Sequence, residues 1–162
     1  MAKRTRPEDE AWSDYAGQIA TNLRRLRAEA GLELRDLVWS FLPRGWFPPV
    51  TPGTQYVTLG GMVAADVHGK NHHVDGTIGR HVSSLRVLLA SGETVECSRA
   101  ERPDLFHATV GGMGLTGHIL EVELRLARVP SSWILQETFR VGDIETFLAA
   151  LRDSARDWPF TM

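Results

Sequence analysis

His68, His72 and His73 fall within six residues, just after Asp66. Imidazole is the commonest metal ligand and a ready general base, so this cluster comes first. Two histidines four apart serve one metal if they share a helical turn, and Gly69 between them argues against a helix. No other cysteine or carboxylate cluster has ligand spacing, so no metal is expected. Gly112, Gly114 and Gly117 spell G-x-G-x-x-G. That fingerprint needs a strand before it and a helix after it, whereas a helical pattern precedes these glycines and an alternating strand follows. A dinucleotide site of that kind is excluded. Gly69-Lys70 matches the end of a phosphate-binding P-loop, but Ala64 stands where its first glycine belongs and Asn71 where a Ser or Thr would hold magnesium. Ser83 and Ser98 sit in no nucleophile elbow. Cys97, the single cysteine, closes a strand and reads as a small buried hydrophobe.

What remains is the run over residues 51–80. Paired glycines strip side chains from the backbone, Thr58 and Asp66 offer short polar groups, and His68 and Asn71 can hydrogen-bond a heteroaromatic edge. Such a run suits a backbone closely approached by a ligand. It equally suits a glycine-rich turn region in a β fold, and spacing alone does not decide between them.

The elements that must position these residues divide the chain in two. Eleven of the fifteen glycines lie within residues 53–117, against three in the first 52. Residues 7–30 carry a helical pattern through Trp12, Tyr15, Ile19, Leu23 and Leu26, with Gly31 as its stop. Arg24, Arg25 and Arg27 near its end complement the helix dipole. Glu8, Asp9, Glu10 and Asp14 nearly balance them, which points to a solvated face rather than a nucleic-acid surface. A second helix is predicted over 33–41, followed by an irregular stretch enforced by Pro43, Pro48, Pro49 and Pro52. Strands are predicted at 85–90 and 94–97 around a Ser91-Gly92 turn, at 120–126 and at 133–141, with helices at 103–109 and 144–152. Hairpins mixed with helices, without βαβ alternation, indicate an α+β fold.

Composition sets the outer bounds. A chain of 162 residues can bury roughly 70% of its extended-state surface, enough for an ordinary core. It is 43% hydrophobic with a net charge of −2, so no global field draws it to nucleic acid or an anionic membrane. It has no run of ~18 apolar residues to span a bilayer and no apolar signal region at its start.

The stretch PGTQYVTLGGMVAADVHGKNHHVDGTIGRHV (residues 52–82) carries a resemblance, joined by residues 104–112 and by Gly114-Leu115-Thr116-Gly117. Together they are similar to FAD-linked oxidases of the vanillyl-alcohol-oxidase class, whose FAD-binding domain is of the p-cresol-methylhydroxylase (PCMH) type. They most resemble the decaprenylphosphoryl-β-D-ribose oxidase subfamily, and the likeness runs over about residues 27–151. It implies the second subdomain of that domain, a mixed or antiparallel sheet with flanking helices, here with an added N-terminal helix. The implied division is 1–26 for that helix, 27–130 for the partial FAD-binding domain, and 131–162 for the start of a substrate domain.

The resemblance implies a non-covalent FAD. Gly53 would lie against the flavin, and Thr58, Leu59, Gly60 and Gly61 would meet the pyrophosphate and ribityl chain through backbone groups. Ala65, Asp66, Val67 and His68 would border the isoalloxazine, Gly69 and Lys70 would face the substrate side, and Ile119 would pack near the adenine. The implied reaction takes hydride from C2 of a lipid-phosphate-linked pentose, with an epimerising reductase as partner. Alternatives are a sugar-lactone oxidase of the same fold, or a non-catalytic remnant that binds another chain through an open sheet edge. The implied location is cytoplasmic, with a lipid-linked substrate bringing the protein to a membrane surface. The family's pyrophosphate-wrapping Arg-Gly-x-Gly-x-Ser-Tyr-Gly loop has no counterpart in residues 1–30, and the substrate-domain residues around the sugar are not matched. A truncated chain with weak FAD affinity and no turnover of its own is therefore expected, and no catalytic residue is assigned.

Overall fold

A computed structural model of the chain describes residues 25–161. Four strands form one antiparallel sheet: β1 (Arg25–Glu29), β3 (Val82–Leu88), β4 (Thr94–Ser98) and β5 (His118–Arg125), in the order β1-β5-β3-β4. A two-residue ribbon pairs β2 (Trp46–Phe47) with β6 (Ala127–Arg128). The helices are α1 (Leu34–Phe41), α2 (Leu59–Ala64), the single turn α3 (His72–Asp75), α4 (Pro103–Thr109) and α5 (Ile144–Asp157). The fold is α+β, as expected, and no described helix is long and apolar enough to cross a membrane.

Alternation in the strands separates two faces of the sheet. Leu26, Ala28, Leu85, Val87, Cys97, Val122 and Leu124 turn inward, against Leu34, Leu37, Met62, Val63 and Phe106 of the helices. The opposite face is a polar lattice, where Arg27 meets Glu96 at 2.6 Å, Arg86 meets Glu121 at 3.0 Å and Ser84 donates to Glu123 at 2.8 Å. Cross-strand pairs of this kind stabilise a sheet modestly, so the apolar face dominates. The β3–β5 register slips twice: between Val82 and Ser84, where Ser83 is the extra residue of β3, and between Arg86 and Val87, where Leu120 is the extra residue of β5. The second slip turns Ile119 into the core and leaves Leu120 half-buried.

Two expectations need correction. Residues 25–29 form a strand, not the end of a helix over 7–30. Leu26, Ala28 and Ala30 are buried while Arg27 and Glu29 are exposed, a period-two pattern paired residue for residue with β5. Arg27 accordingly serves cross-strand pairing rather than a helix dipole, and a domain boundary at 26/27 would cut β1 in half. The expected helix over residues 1–24 lies outside the described residues. Residues 133–141 form no strand: residues 131–140 are exposed, and no described strand lies beside them to supply a ladder. A third point stands as read: His68 lies in an isolated bridge with Thr77 and the single turn α3 begins only at His72, so the two histidines share no helical turn.

The predicted helices at 33–41, 103–109 and 144–152 and the hairpin around Ser91-Gly92 are present. Asp143 starts α5 by accepting the Thr146 N–H at 2.7 Å, and that bond holds its carboxyl below the usual range. Cys97 is 1% exposed, and burial pushes its thiol pKa up. A thiol reagent should therefore leave Cys97 untouched in the folded chain and label one equivalent after denaturation. Prompt labelling of folded protein would show that edge strand β4 opens readily.

Candidate functional site

The glycine pair read from the sequence sits in a helix. Thr58 caps α2, its Oγ1 accepting the Gly61 N–H at 3.1 Å. The Leu59 N–H goes to the Leu32 carbonyl at 2.8 Å and the Gly60 N–H to the Ala30 carbonyl at 2.7 Å. These first-turn donors are thus satisfied within the chain. What the segment offers a ligand is the Thr58 hydroxyl proton and a bare surface, rather than free N–H groups.

The two glycines do different work. A Cβ on Gly60 would stand 2.8 Å from the Ala30 Cβ, so Gly60 is required by close packing against the end of β1. Gly61 is exposed, and its Cβ would meet only Thr58 Oγ1, at 3.0 Å. Gly53 is also exposed, with nothing within 4 Å of the Cβ position and no positive φ. The described fold therefore gives no steric reason for glycine at 53, whereas a flat ligand lying against it would.

At the C-terminal end of α2 the chain is knotted together by Asp66. Its backbone is left-handed, with φ 44°, and its Oδ1 accepts the Gly79 N–H at 2.9 Å. Arg99, stacked 5.2 Å over the Phe106 ring, donates to the Gly79 carbonyl at 2.7 Å. The loop after α4 then docks on α2, Gly111 N–H to the Val63 carbonyl at 3.0 Å and Met113 N–H to the Ala64 carbonyl at 2.8 Å. The carboxylate of Asp66 is thus engaged inside the fold, beside exposed Ala65. Beyond the dock, Met113 is 71% and Leu115 91% exposed, an apolar tip next to the bare end of α2.

The remaining residues named from the sequence are placed as follows. Leu59 and Ile119 belong to the core, and Val67 packs half-buried against it. Gly69 is buried, its missing Cβ making room for Asn71 Oδ1 and the Thr51 carbonyl, so it serves packing. His68 and Lys70 are exposed. The His68 and His72 rings meet edge to face at 5.4 Å, each turning Nδ1 toward the Gly69 carbonyl. Among the described residues no group of three His, Cys, Asp or Glu could hold a metal ion. The G-x-G-x-x-G glycines follow α4 and precede β5, the reverse of a dinucleotide fingerprint. Sequence reasoning passed over Arg99 and offered Asn71 to a heteroaromatic edge, whereas its amide is spent inside the fold on the Pro49 carbonyl and Asp75. Asn71 is 1% exposed and ties two segments, yet a polar residue between histidines gives no pattern to find that role by.

The family described as an FAD binding domain matches residues 16–98, more than half of the chain. The chain belongs to the FAD-linked oxidase family. FAD is the cofactor of this domain, and the open faces of Gly53 and Gly61 suit it. The chain is 38% identical over 138 residues to the decaprenylphosphoryl-β-D-ribose oxidase of Mycolicibacterium smegmatis, covering 85% of this chain and 30% of that protein. An uncharacterised Streptomyces coelicolor protein is 43% identical over 76% of this chain and 33% of its own length. A putative D-arabinono-1,4-lactone oxidase of Neurospora crassa is 31% identical over 60% of this chain and 17% of its own. The chain thus spans at most about a third of these relatives.

Proposed function

We propose that this chain forms one wall of the flavin site of an oxidoreductase acting on a sugar hydroxyl, with a lipid-phosphate-linked pentose as substrate. The substrate reading rests on the 38% identity to decaprenylphosphoryl-β-D-ribose oxidase over 85% of this chain, a longer and closer match than that to the lactone oxidase. The single observation that carries the placement is the exposed surface at Gly53 and Gly61, open at Gly53 and bounded at Gly61 only by the Thr58 hydroxyl. Bound FAD supplies the two-electron acceptor for the sugar carbon. Within this chain, Gly53 and Gly61 give the flavin and its diphosphate close approach to backbone, and the Thr58 hydroxyl has a proton to donate. Ala65 and His68, both exposed, border the same surface, and Lys70 offers a cation on the substrate side. The His68 Nδ1 is turned to Gly69, which leaves its Nε2 for a ligand.

Titrating FAD into the chain and following flavin fluorescence tests this placement. Gly61→Val and Gly53→Val should keep the far-ultraviolet dichroism of the parent and weaken FAD at least tenfold. Gly60→Val should instead lose the fold, through its contact with Ala30. Unchanged FAD affinity in both folded variants would move the flavin elsewhere.

A further inference from the structure

Between Pro49, the end of α3, the 3₁₀ turn Ile78–Arg80 and the start of β6 lies a cavity of about 330 Å³. None of the residues assigned above to cofactor or substrate lines it. Its cations are Arg80 and Arg125, beside the His81 ring, against one carboxylate, Asp75, which already accepts the Asn71 amide at 2.6 Å. Elsewhere Arg27, Arg35, Arg86, Arg102 and Arg156 each meet a carboxylate. Among the described residues neither Arg80 nor Arg125 does.

Both arginines are exposed at this cavity, and the fold directs their stems toward it. Gly76, at φ 72°, lies under the Arg80 stem, and a Cβ there would stand 2.4 Å from Arg80 Cδ. Arg125 Nη2 donates to the Arg80 carbonyl at 2.5 Å, which sets one arm of its fork and leaves the others at the cavity. The His81 Nε2–H donates to the Asp75 carbonyl at 3.0 Å, fixing the ring. Donors converging from two guanidinium groups match a tetrahedral oxyanion better than a planar carboxylate, which one fork suffices to bind. The rest of the wall, Pro49, Val74, Leu126 and Ala127, is apolar. The volume is about ten times the ~30 Å³ share of one water, room for an organic group beyond the anion.

We propose that this cavity binds a phosphate ester, its phosphoryl oxygens on Arg80 and Arg125 and its organic part against Pro49, Val74 and Leu126. The phosphate may be free in solution or the headgroup of a lipid, since both present the same chemistry. The test titrates the full chain with glycerol 3-phosphate by calorimetry, ionic strength held constant with chloride, and sediments it with vesicles containing or lacking phosphatidic acid. Binding of glycerol 3-phosphate identifies a soluble ester. Binding only to phosphatidic-acid vesicles identifies a headgroup. In either arm Arg80→Gln should weaken binding at least tenfold, while Arg152→Gln, removing an exposed charge on α5, should change it less than twofold. Arg80→Lys keeps the charge without the fork and should fall between, which keeps the test decisive if the glutamine variant misfolds. No binding in either arm, or equal loss in Arg80→Gln and Arg152→Gln, would overturn the proposal. FAD affinity, read on the same samples, should not change with Arg80, so the two sites fail or stand separately.

Discussion

Gly112→Ala should unfold at far lower urea concentration than Gly114→Ala, although both replace a glycine of one six-residue motif. A Cβ on Gly112 would stand 2.0 Å from the carbonyl oxygen of Ala108, in the last turn of α4. That oxygen is backbone and cannot swing away, so either the helix end or the docked loop must move. Overpacking of this kind costs about 3 kcal/mol at the upper end of its usual range. Gly114 has φ 81° and open space around it, so alanine there meets only left-handed backbone strain, about 1–2 kcal/mol. Urea unfolding followed by tryptophan fluorescence compares the two directly. Equal midpoints would mean that the loop after α4 is looser than its hydrogen bonds to Val63 and Ala64 imply.

Asn71→Ala should cost about 2–3 kcal/mol, because two half-buried acceptors lose their donor together. The amide Nδ2 serves the Pro49 carbonyl at 2.8 Å and Asp75 Oδ2 at 2.6 Å, bonding the proline-rich stretch before Gly53 to the short helix α3. Since one acceptor is a carboxylate, its loss weighs more than that of a neutral bond. Asn71→Asp replaces the donor with a second acceptor beside Asp75 and should destabilise at least as much. Both variants should also weaken FAD, since the segment that carries Gly53 is no longer held. A variant with parent-like urea midpoint would show that Pro49 and α3 are held together by packing alone.

Periodicity made the hairpin, α1, α4 and most of β5 legible, because each buries one face of a regular pattern. It failed where the deciding fact lay in another part of the chain. Leu26, Ala28 and Ala30 fit a strand as well as they fit a helical stripe, and only pairing with residues 121–125 selects the strand. Trp133, Leu135, Phe139 and Val141 alternate well, but alternation without a neighbouring strand forms no ladder. At the site, the composition of residues 51–80 announced close approach without saying of what to what. Gly60, Gly69 and Gly79 turn out to make room for Ala30, for Asn71 with Thr51, and for Val110 with Asp66. Gly53 and Gly61 remain for a ligand. Only neighbours distant in sequence separate the two sets.

The placement of β1 at one edge of the sheet has a consequence for how the chain is made. Among the described residues its partner in the sheet is β5, roughly a hundred residues later, whereas β3 and β4 are joined by a short turn. On the ribosome the β3–β4 hairpin can close early, but β1 must wait until nearly the whole domain has emerged. Through that interval its Leu26, Ala28 and Ala30 are uncovered, a short apolar edge open to any neighbouring strand. Arg27 and Glu29, interleaved with them, keep that waiting segment charged until β5 arrives.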